Sequence, residues 1–221
     1  EIVYALGVGE RLVGADTTSI YPAAADALPD VGYVRQLSAE GLLSLSPDLI
    51  LAGGEAGPDT ALAQTKAAGV RIVKLTEGYT PAEVEAHIEK VGAALGREAE
   101  AAALNAAFQQ DIEQVLADVA TLEGKPRVLF LLQAGRGGML VAGGRTAAHA
   151  MIELAGGENA ATGFTGYKPF SPEAATAAAP DVLLVTDQTI EMLGGIEKLL
   201  ADPALAATPA GKAKRIVSMD A

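Results

Sequence analysis

Short runs of apolar and β-branched residues alternate along the chain with longer stretches in which apolar positions recur at helical spacing. Several of the short runs are apolar throughout, which is typical of parallel strands covered on both faces. The pattern therefore predicts an α/β protein with parallel sheets. The predicted strands are Leu12–Ala15, Asp48–Ala52, Arg71–Leu75, Arg127–Leu132, Met139–Ala142, Asp181–Thr186 and Arg215–Met219.

Two helices are predicted in the middle of the chain. Thr80-Pro81-Ala82-Glu83 is a capping box with proline at the first helical position, so a helix begins there and continues to about Leu95. A second helix runs from Arg97 to about Leu122 and spans about 40 Å at roughly 1.5 Å per residue. We therefore expect an N-terminal lobe (1–80), a helical connector (81–123) and a C-terminal lobe (124–221). This predicts two Rossmann-like lobes joined by a single long helix, with a ligand cleft between them.

An internal repeat favours two related lobes. Ser38-Ala39-Glu40 precedes a Pro-Asp turn and an apolar run at Pro47–Leu51, and Ser171-Pro172-Glu173 precedes the same pattern at Pro180–Leu184. Each copy is interpreted as a serine-capped helix, a turn and a buried strand. Helix–turn–strand units also arise independently in α/β proteins, so the two matches favour a duplication without requiring one.

Composition and charge exclude several classes of function. The 221 residues include no cysteine, which excludes disulfides, thiol nucleophiles and thiolate metal sites. A net charge of −12 disfavours binding to nucleic acid or to anionic membranes. No apolar run reaches the roughly 18 residues of a membrane helix, and the start shows no signal-peptide pattern. Nucleophile elbows, phosphate loops and paired metal-ligand histidines are also absent from the sequence, so we expect a binding protein and not an enzyme.

Ligand residues are expected in the loops that follow the strands. The aromatic residues are few, and Tyr21, Tyr33, Phe164 and Tyr167 fall in these loops, which favours a flat apolar ligand. The expected loops are Asp16–Arg35, Gly53–Pro58, Gln133–Gly138, Gly163–Phe170 and Asp187–Gly195.

The segment Gly32-Tyr33-Val34-Arg35 is the strongest candidate for chemistry. In extended backbone, residues two apart point to the same side, so Arg35 is expected to donate a hydrogen bond to the Tyr33 hydroxyl. A nearby cation and a donated hydrogen bond both favour phenolate, which is a ligand for ferric iron and one of the axial ligands of haem. A surface tyrosine that packs on a neighbouring arginine explains the same residues equally well.

The stretch from Leu28 to Gly41, with its Gly-Tyr-x-Arg-x-Leu-Ser-Ala-Glu-Gly run, resembles the haem-carrier substrate-binding proteins of bacterial haem ABC importers. These proteins belong to a class of helix-linked binding proteins that also carries corrinoids and ferric siderophores. Further matches extend the resemblance over essentially the whole chain, among them 13–19, 55–58, 155–159, 166–169 and 215–220. In that family the tyrosine is the axial iron ligand and the arginine is hydrogen-bonded to it. The resemblance therefore implies Tyr33 as the iron ligand and Arg35 as its partner.

The resemblance further implies that the ligand is ferric haem (protoporphyrin IX). Some relatives place a basic residue where Gln188 stands, and Arg136 or Lys168 is the expected substitute. A corrinoid or a ferric siderophore is the alternative ligand, and an enzyme or sensor is the alternative class of protein. The residues expected to contact haem are Tyr33, Arg35, Gly54, Glu55, Arg136, Phe164, Tyr167, Lys168 and Gln188.

A partner and a location are also implied. Carriers of this class dock on a permease through one acidic residue on each lobe, and the matching positions are Asp59 and Glu191. An ordinary acidic residue at a helix N-terminus explains Asp59 nearly as well, and Glu197 is the second choice beside Glu191. We expect a monomer in the periplasm, or a lipoprotein anchored outside the cytoplasmic membrane, that delivers haem to an ABC transporter permease.

Overall fold

Helices alternate with short strands along most of the chain, as the hydrophobic pattern predicts, and the fold is of the α/β class. The computed structural model describes residues 1–133 and 138–219. Two compact units are formed by Glu1–Ile112 and Glu113–Ala221. The boundary between them falls within the longest helix, so the segment 81–112 belongs to the first unit.

The first unit is built around two paired strands. β1 (Leu49–Ala52) and β2 (Arg71–Lys74) are parallel, with Leu49 opposite Arg71 and Ala52 opposite Lys74. Both were predicted to within one residue. The helices of this unit are α1 (Ile2–Ala5), α2 (Ala23–Asp26), α3 (Ala39–Ser44), α4 (Asp59–Ala67), α5 (Pro81–Leu95) and α6 (Glu98–Val119), with a short 3₁₀ turn at Gly9–Arg11.

The capping box at the start of α5 is confirmed. The Glu83 backbone N–H donates to the Thr80 hydroxyl, and the Glu83 carboxylate accepts from the Thr80 backbone N–H at 2.9 Å. Gly96 ends the helix in the left-handed conformation (φ 68°), which glycine adopts at little cost. α6 follows directly and ends at Val119, slightly short of the predicted end at Leu122. Among the described residues, no helix is both long and apolar enough to cross a membrane.

The second unit contains a mixed sheet with the strand order β6–β4–β3–β7–β8, and β5 also pairs with β3. β3 pairs in parallel with β7, but β4 runs antiparallel to both β3 and β6. The prediction of a parallel sheet is therefore confirmed for β3, β5, β7 and β8, whereas β4 and β6 depart from it. Only five residues separate β3 from β4 along the chain, and so few residues allow a reversal of direction but not the crossover that parallel neighbours need.

Between β4 and residue 219, this unit contains four more strands and six helices, and four of the helices follow one another between β7 and β8. Its largest buried cluster includes Leu129, Leu131, Leu183, Leu199 and Leu205, so the central strands and the C-terminal helices share one core. The elements are β3 (Arg127–Gln133), β4 (Met139–Ala142), α7 (Ala147–Leu154), β5 (Glu158–Asn159), β6 (Tyr167–Pro169), α8 (Pro172–Ala178), β7 (Val182–Thr186), α9 (Asp187–Leu193), α10 (Ile196–Leu200), α11 (Pro203–Ala207), α12 (Pro209–Ala213) and β8 (Ile216–Met219).

The two serine-capped helices of the sequence repeat are confirmed. The Ser38 hydroxyl accepts from Gly41 N at the start of α3, and the Ser171 hydroxyl accepts from Ala174 N at the start of α8. The strand predicted at Leu12–Ala15 is wrong, since this segment makes a single bridge from Ala15 to a loop residue.

Candidate functional site

Tyr33 lies at the start of a tight turn in the first unit. The Gln36 backbone N–H donates to the Tyr33 carbonyl oxygen at 2.7 Å, so Val34 and Arg35 occupy the centre of the turn. Val34 is buried in a cluster with Leu37, whereas Tyr33 is 41% exposed. The prediction of extended backbone from Gly32 to Arg35 is therefore wrong, because the burial of Val34 and the turn hydrogen bond reverse the chain at this point.

Arg35 pairs with Glu55 instead of Tyr33. Its Nη2 donates to Glu55 Oε2 at 2.6 Å. Within residues 1–133 and 138–219, no hydrogen bond joins Arg35 to the Tyr33 hydroxyl, which differs from the expected pairing. The hydrogen bond to Glu55 and the charge of Glu55 raise the pKa of Arg35. Burial acts in the other direction, and smaller contributions from Tyr33 and Glu77 add to the rise.

Backbone hydrogen bonds hold the Tyr33 turn against the loop that follows β1. Gly57 N–H donates to the Val34 carbonyl at 3.0 Å, and Leu37 N–H donates to the Gly57 carbonyl at 2.9 Å. Ala56 is buried in the same cluster as Val34, so one core anchors both segments. Glu55 is thus placed beside Arg35 by the backbone, without depending on the identity of either side chain.

Glu77 is a site residue that the sequence interpretation missed. The carboxyl ends of the parallel strands β1 and β2 lie at the same edge, so the residues that follow them are neighbours. A Cβ atom on Gly54 would lie 2.5 Å from the Glu77 backbone nitrogen, which leaves room only for glycine. Pairing the predicted strands β1 and β2 in parallel would have identified Glu77 as a neighbour of the loop after β1.

Asp16 organises the loop that leads to Tyr33. Its carboxylate accepts hydrogen bonds from the Thr18 backbone N–H at 2.9 Å, from the Thr18 hydroxyl and from the Ser19 hydroxyl at 2.7 Å. Partial burial opposes ionisation of Asp16, but the hydrogen bonds outweigh burial and lower its pKa. The bridge between Ala15 and Asp30 closes the base of the loop.

Phe164, Tyr167 and Lys168 lie together in the second unit. The Lys168 ammonium is 4.7 Å from the centroid of the Phe164 ring, which is a cation–π contact. Tyr167 and Lys168 belong to β6, so the predicted loop Gly163–Phe170 contains a short strand instead of being irregular throughout. Tyr167 is 45% exposed and Phe164 is half-buried.

Gln188 lies on α9, where the sequence predicted a loop. The helix begins directly after β7 because the Thr186 hydroxyl accepts from Thr189 N at 3.1 Å, and Gly194 ends it in the left-handed conformation. The Thr189 hydroxyl in turn accepts from the Gln133 backbone N–H at 3.0 Å, which ties α9 to the end of β3. Arg136 lies outside the described residues.

The two docking candidates are exposed acidic residues on helices. Asp59 is the first residue of α4, its side chain is 91% exposed, and its Oδ1 is 3.3 Å from Lys74 Nζ. Glu191 lies on α9 and is also exposed. Neither is buried by its own unit, so both are accessible there.

The sequence-predicted residues thus form one set in each unit. Tyr33, Arg35 and Glu55 are brought together in the first unit with Gly54 beside them, and the other described residues belong to the second. In the part of the chain that the structure describes, no group of three or more His, Asp or Glu residues could hold a metal ion. A bare metal ion therefore finds no preformed cluster of ligands in these residues.

The family model described as "Periplasmic binding protein" matches residues 1–221. The chain belongs to this family. Among solved structures, it is similar to the periplasmic haem-binding protein BhuT in complex with two haems, with 50% identity and a TM-score of 0.94, covering 99% of this chain and 85% of BhuT. The fold of the chain is thus that of a periplasmic binding protein.

Curated relatives of the chain include an uncharacterised substrate-binding lipoprotein and a vitamin B12-binding protein. The uncharacterised ABC transporter substrate-binding lipoprotein YvrC of Bacillus subtilis is 28% identical over 190 residues, which cover 85% of this chain. The vitamin B12-binding protein of Yersinia pestis is 30% identical over 192 residues, which cover 84% of it. The chain spans 60% and 65% of the lengths of these two relatives. The family and these relatives are named as binding and transport proteins and not as enzymes.

Proposed function

We propose that this chain is the haem-binding part of a carrier that captures ferric haem outside the cytoplasm and delivers it to an ABC transporter permease. The observation that carries the proposal is the exposed Tyr33, which lies on a hydrogen-bonded turn that also contains Arg35. The 50% identity to a haem-binding protein of the same fold supports haem as the ligand.

Tyr33 fits the role of axial iron ligand. Its neighbours Val34 and Leu37 are buried while its own side chain is exposed, so a large ligand can reach the ring without unfolding the turn. Phenolate is one of the protein ligands of haem iron, and a neighbouring cation favours it. A porphyrin brings its own nitrogen ligands to the iron, so a single oxygen from Tyr33 suffices, and residues 1–133 and 138–219 offer no cluster of further ligands.

The second unit has its own set of candidate haem-binding residues in this proposal. Phe164 and Tyr167 offer aromatic surface, and Lys168 and Arg136 offer positive charge to the carboxylates of haem. Gln188 is exposed on α9 and offers a hydrogen bond without charge.

A corrinoid is the second candidate ligand, because the relative from Yersinia pestis is named as a vitamin B12-binding protein. The two candidates make different predictions for Tyr33. Ferric haem bound through a tyrosinate requires the Tyr33 hydroxyl, whereas a corrinoid gives this residue no required role as an iron ligand.

Absorption spectroscopy with ferric haem, and separately with cyanocobalamin, tests the proposal. Addition of haem is expected to give a Soret band and the charge-transfer bands of a ferric tyrosinate. Tyr33→Phe, which removes only the hydroxyl, should abolish the tyrosinate bands and weaken binding. Tyr21→Phe is the matched control, because Tyr21 is also exposed on the loop that leads to Tyr33. The proposal is contradicted if the spectrum of Tyr33→Phe is unchanged. It is also contradicted if the protein binds cobalamin but does not bind haem.

Docking on the permease uses Asp59 and Glu191 in this proposal. Exposed charge pairs contribute little to stability but accelerate association, so the effect of these residues should appear in delivery. The double variant Asp59→Lys and Glu191→Lys should bind haem as the wild type does and deliver less of it to a reconstituted transporter, most clearly at low salt. Glu113→Lys serves as the control, because Glu113 is an exposed acidic residue on α6 with no assigned part in docking. Full delivery by the double variant would exclude both residues from the docking surface.

A further inference from the structure

Three segments of the first unit lie side by side at the edge where β1 and β2 end. The loop after β1 packs against the loop after β2, since a Cβ on Gly54 would lie 3.0 Å from the Thr76 carbonyl carbon. The loop after β1 is also hydrogen-bonded through its backbone to the Tyr33 turn. The segment 75–80 is therefore joined to the Tyr33 turn through one intervening loop, and it carries an aromatic residue, Tyr79.

The backbone of Tyr79 is fixed by the first turn of α5. Its N–H donates to Glu83 Oε2 at 2.9 Å, and the same carboxylate completes the capping box. Gly78 lies so close to this turn that a Cβ there would be 2.6 Å from Glu83 Cβ. The capping box thus sets the position of Tyr79 without using its side chain, so a replacement of the ring should leave the loop in place.

The ring of Tyr79 is only partly covered by its own unit. A hydrophobic residue just before the N-cap of a helix often packs on the fourth helical residue, which is Val84 in α5. Val84 packs into the core cluster that contains Ile88, whereas Tyr79 is 44% exposed. Within residues 1–133 and 138–219, the Tyr79 hydroxyl makes no hydrogen bond. A fixed backbone and an uncovered ring make Tyr79 preorganised to contact a ligand.

We propose that Tyr79 packs its ring against the porphyrin of bound haem and is a binding residue that raises the affinity for a flat ligand. The inference rests on the proposed function. Single exposed aromatic side chains are common on protein surfaces, and what distinguishes Tyr79 is its place on the loop next to the one that anchors Tyr33. The contact made by Tyr79 uses the ring face or edge and does not require its hydroxyl.

Titration of Tyr79→Ala and Tyr79→Phe with ferric haem, followed by absorption, tests this role. Tyr79→Ala should bind haem about two- to tenfold more weakly than the wild type, which is the scale of one aromatic ring contact. Tyr79→Phe keeps the ring and should bind as the wild type does. Both variants should retain the ferric tyrosinate bands at saturation, because Tyr33 is unchanged. Unweakened binding by Tyr79→Ala, equal weakening in Tyr79→Phe, or loss of the tyrosinate bands overturns the inference.

Leu116→Ala is the matched control for loss of exposed apolar surface, to which haem adsorbs without a defined site. Leu116 lies on α6 with a similar exposed fraction, 46%, and has no assigned part in binding. It should bind haem as the wild type does, and weakening equal to that of Tyr79→Ala would overturn the inference.

Nitration of the wild type by tetranitromethane gives an independent readout of the contact. Modified peptides are quantified by mass spectrometry with and without a saturating amount of ferric haem. Tyr79 is exposed in the chain alone and should be nitrated there, and bound haem should protect it. Equal modification of Tyr79 in the two samples overturns the inference.

Failure of the inference and failure of the proposed function are distinguishable. If the wild type binds no haem, or if Tyr33→Phe binds it unchanged, the proposed function fails and the role of Tyr79 fails with it. If the wild type and Tyr33→Phe behave as proposed but Tyr79→Ala binds haem as tightly as the wild type, only the inference fails.

Discussion

Alanine at position 54 is expected to destabilise the first unit. The added Cβ would lie 2.5 Å from the Glu77 backbone nitrogen, 2.7 Å from Glu77 Cγ and 3.0 Å from the Thr76 carbonyl carbon. The Glu77 side chain can rotate away, but the backbone cannot, because Leu75 N–H is hydrogen-bonded to the Ala52 carbonyl at 2.8 Å. One of the two loops must therefore move. Overpacking of this kind costs about 1–3 kcal/mol, so Gly54→Ala should lower the free energy of unfolding by that amount.

The adjacent glycine provides the control for this prediction. A Cβ on Gly53 meets no atom within 4 Å, and its backbone is not in the left-handed region. Gly53→Ala should leave the free energy of unfolding unchanged or raise it by up to about 1 kcal/mol, because alanine reduces the entropy of the unfolded chain. Urea unfolding followed by circular dichroism measures both variants. The reasoning is refuted if the two variants agree to within about 0.5 kcal/mol, the usual spread for neutral surface substitutions.

Three further outcomes are expected. Asp16 has a lowered pKa, so its contribution to stability is present above its unfolded pKa of about 3.9 and disappears as pH falls through the folded value. Asp16→Asn should therefore have a lower free energy of unfolding than the wild type at pH 7. In urea unfolding from pH 7 to pH 3, this difference should shrink below about pH 4. Asn159→Ala removes a buried amide that hydrogen-bonds two backbone groups, and the free energy of unfolding should fall by about 2–4 kcal/mol; a loss under about 1 kcal/mol would contradict this. A double-mutant cycle of unfolding free energies for Lys168→Met and Phe164→Leu should give a coupling energy of about 0.5–1 kcal/mol. A coupling energy of zero would show that the cation–π contact contributes nothing to stability.

Elements set by local sequence were predictable. The capping box fixes the start of α5 by hydrogen bonds within four residues. The long apolar run of β3 is stable only where both of its faces are covered, in the middle of a sheet. β5 and β6 were missed because two and three residues are too few to show a periodicity. α9 was predicted as a loop although Thr186 and Gly194, at its two ends, are residues typical of helix caps.

The candidate site was predictable as a set of residues but not as a set of contacts. Tyr33, Arg35 and Glu55 were all identified from the sequence. Their pairing depends on the turn at Tyr33, which is fixed by the burial of Val34 and by hydrogen bonds to a loop far along the chain. Sequence spacing alone favoured a hydrogen bond between residues 33 and 35, since it holds no information about the position of residue 55.

The hydrogen bonds between the Tyr33 turn and the loop after β1 use backbone atoms alone: Gly57 N–H with the Val34 carbonyl, and Leu37 N–H with the Gly57 carbonyl. Such bonds persist when side chains are exchanged, so mutations at Tyr33, Arg35 or Glu55 alter the chemistry offered to a ligand without displacing the segments that carry it. With a backbone of this kind, single substitutions at these positions can change which ligand is bound while the fold is kept. The chain itself is similar both to a protein named for haem and to one named for vitamin B12.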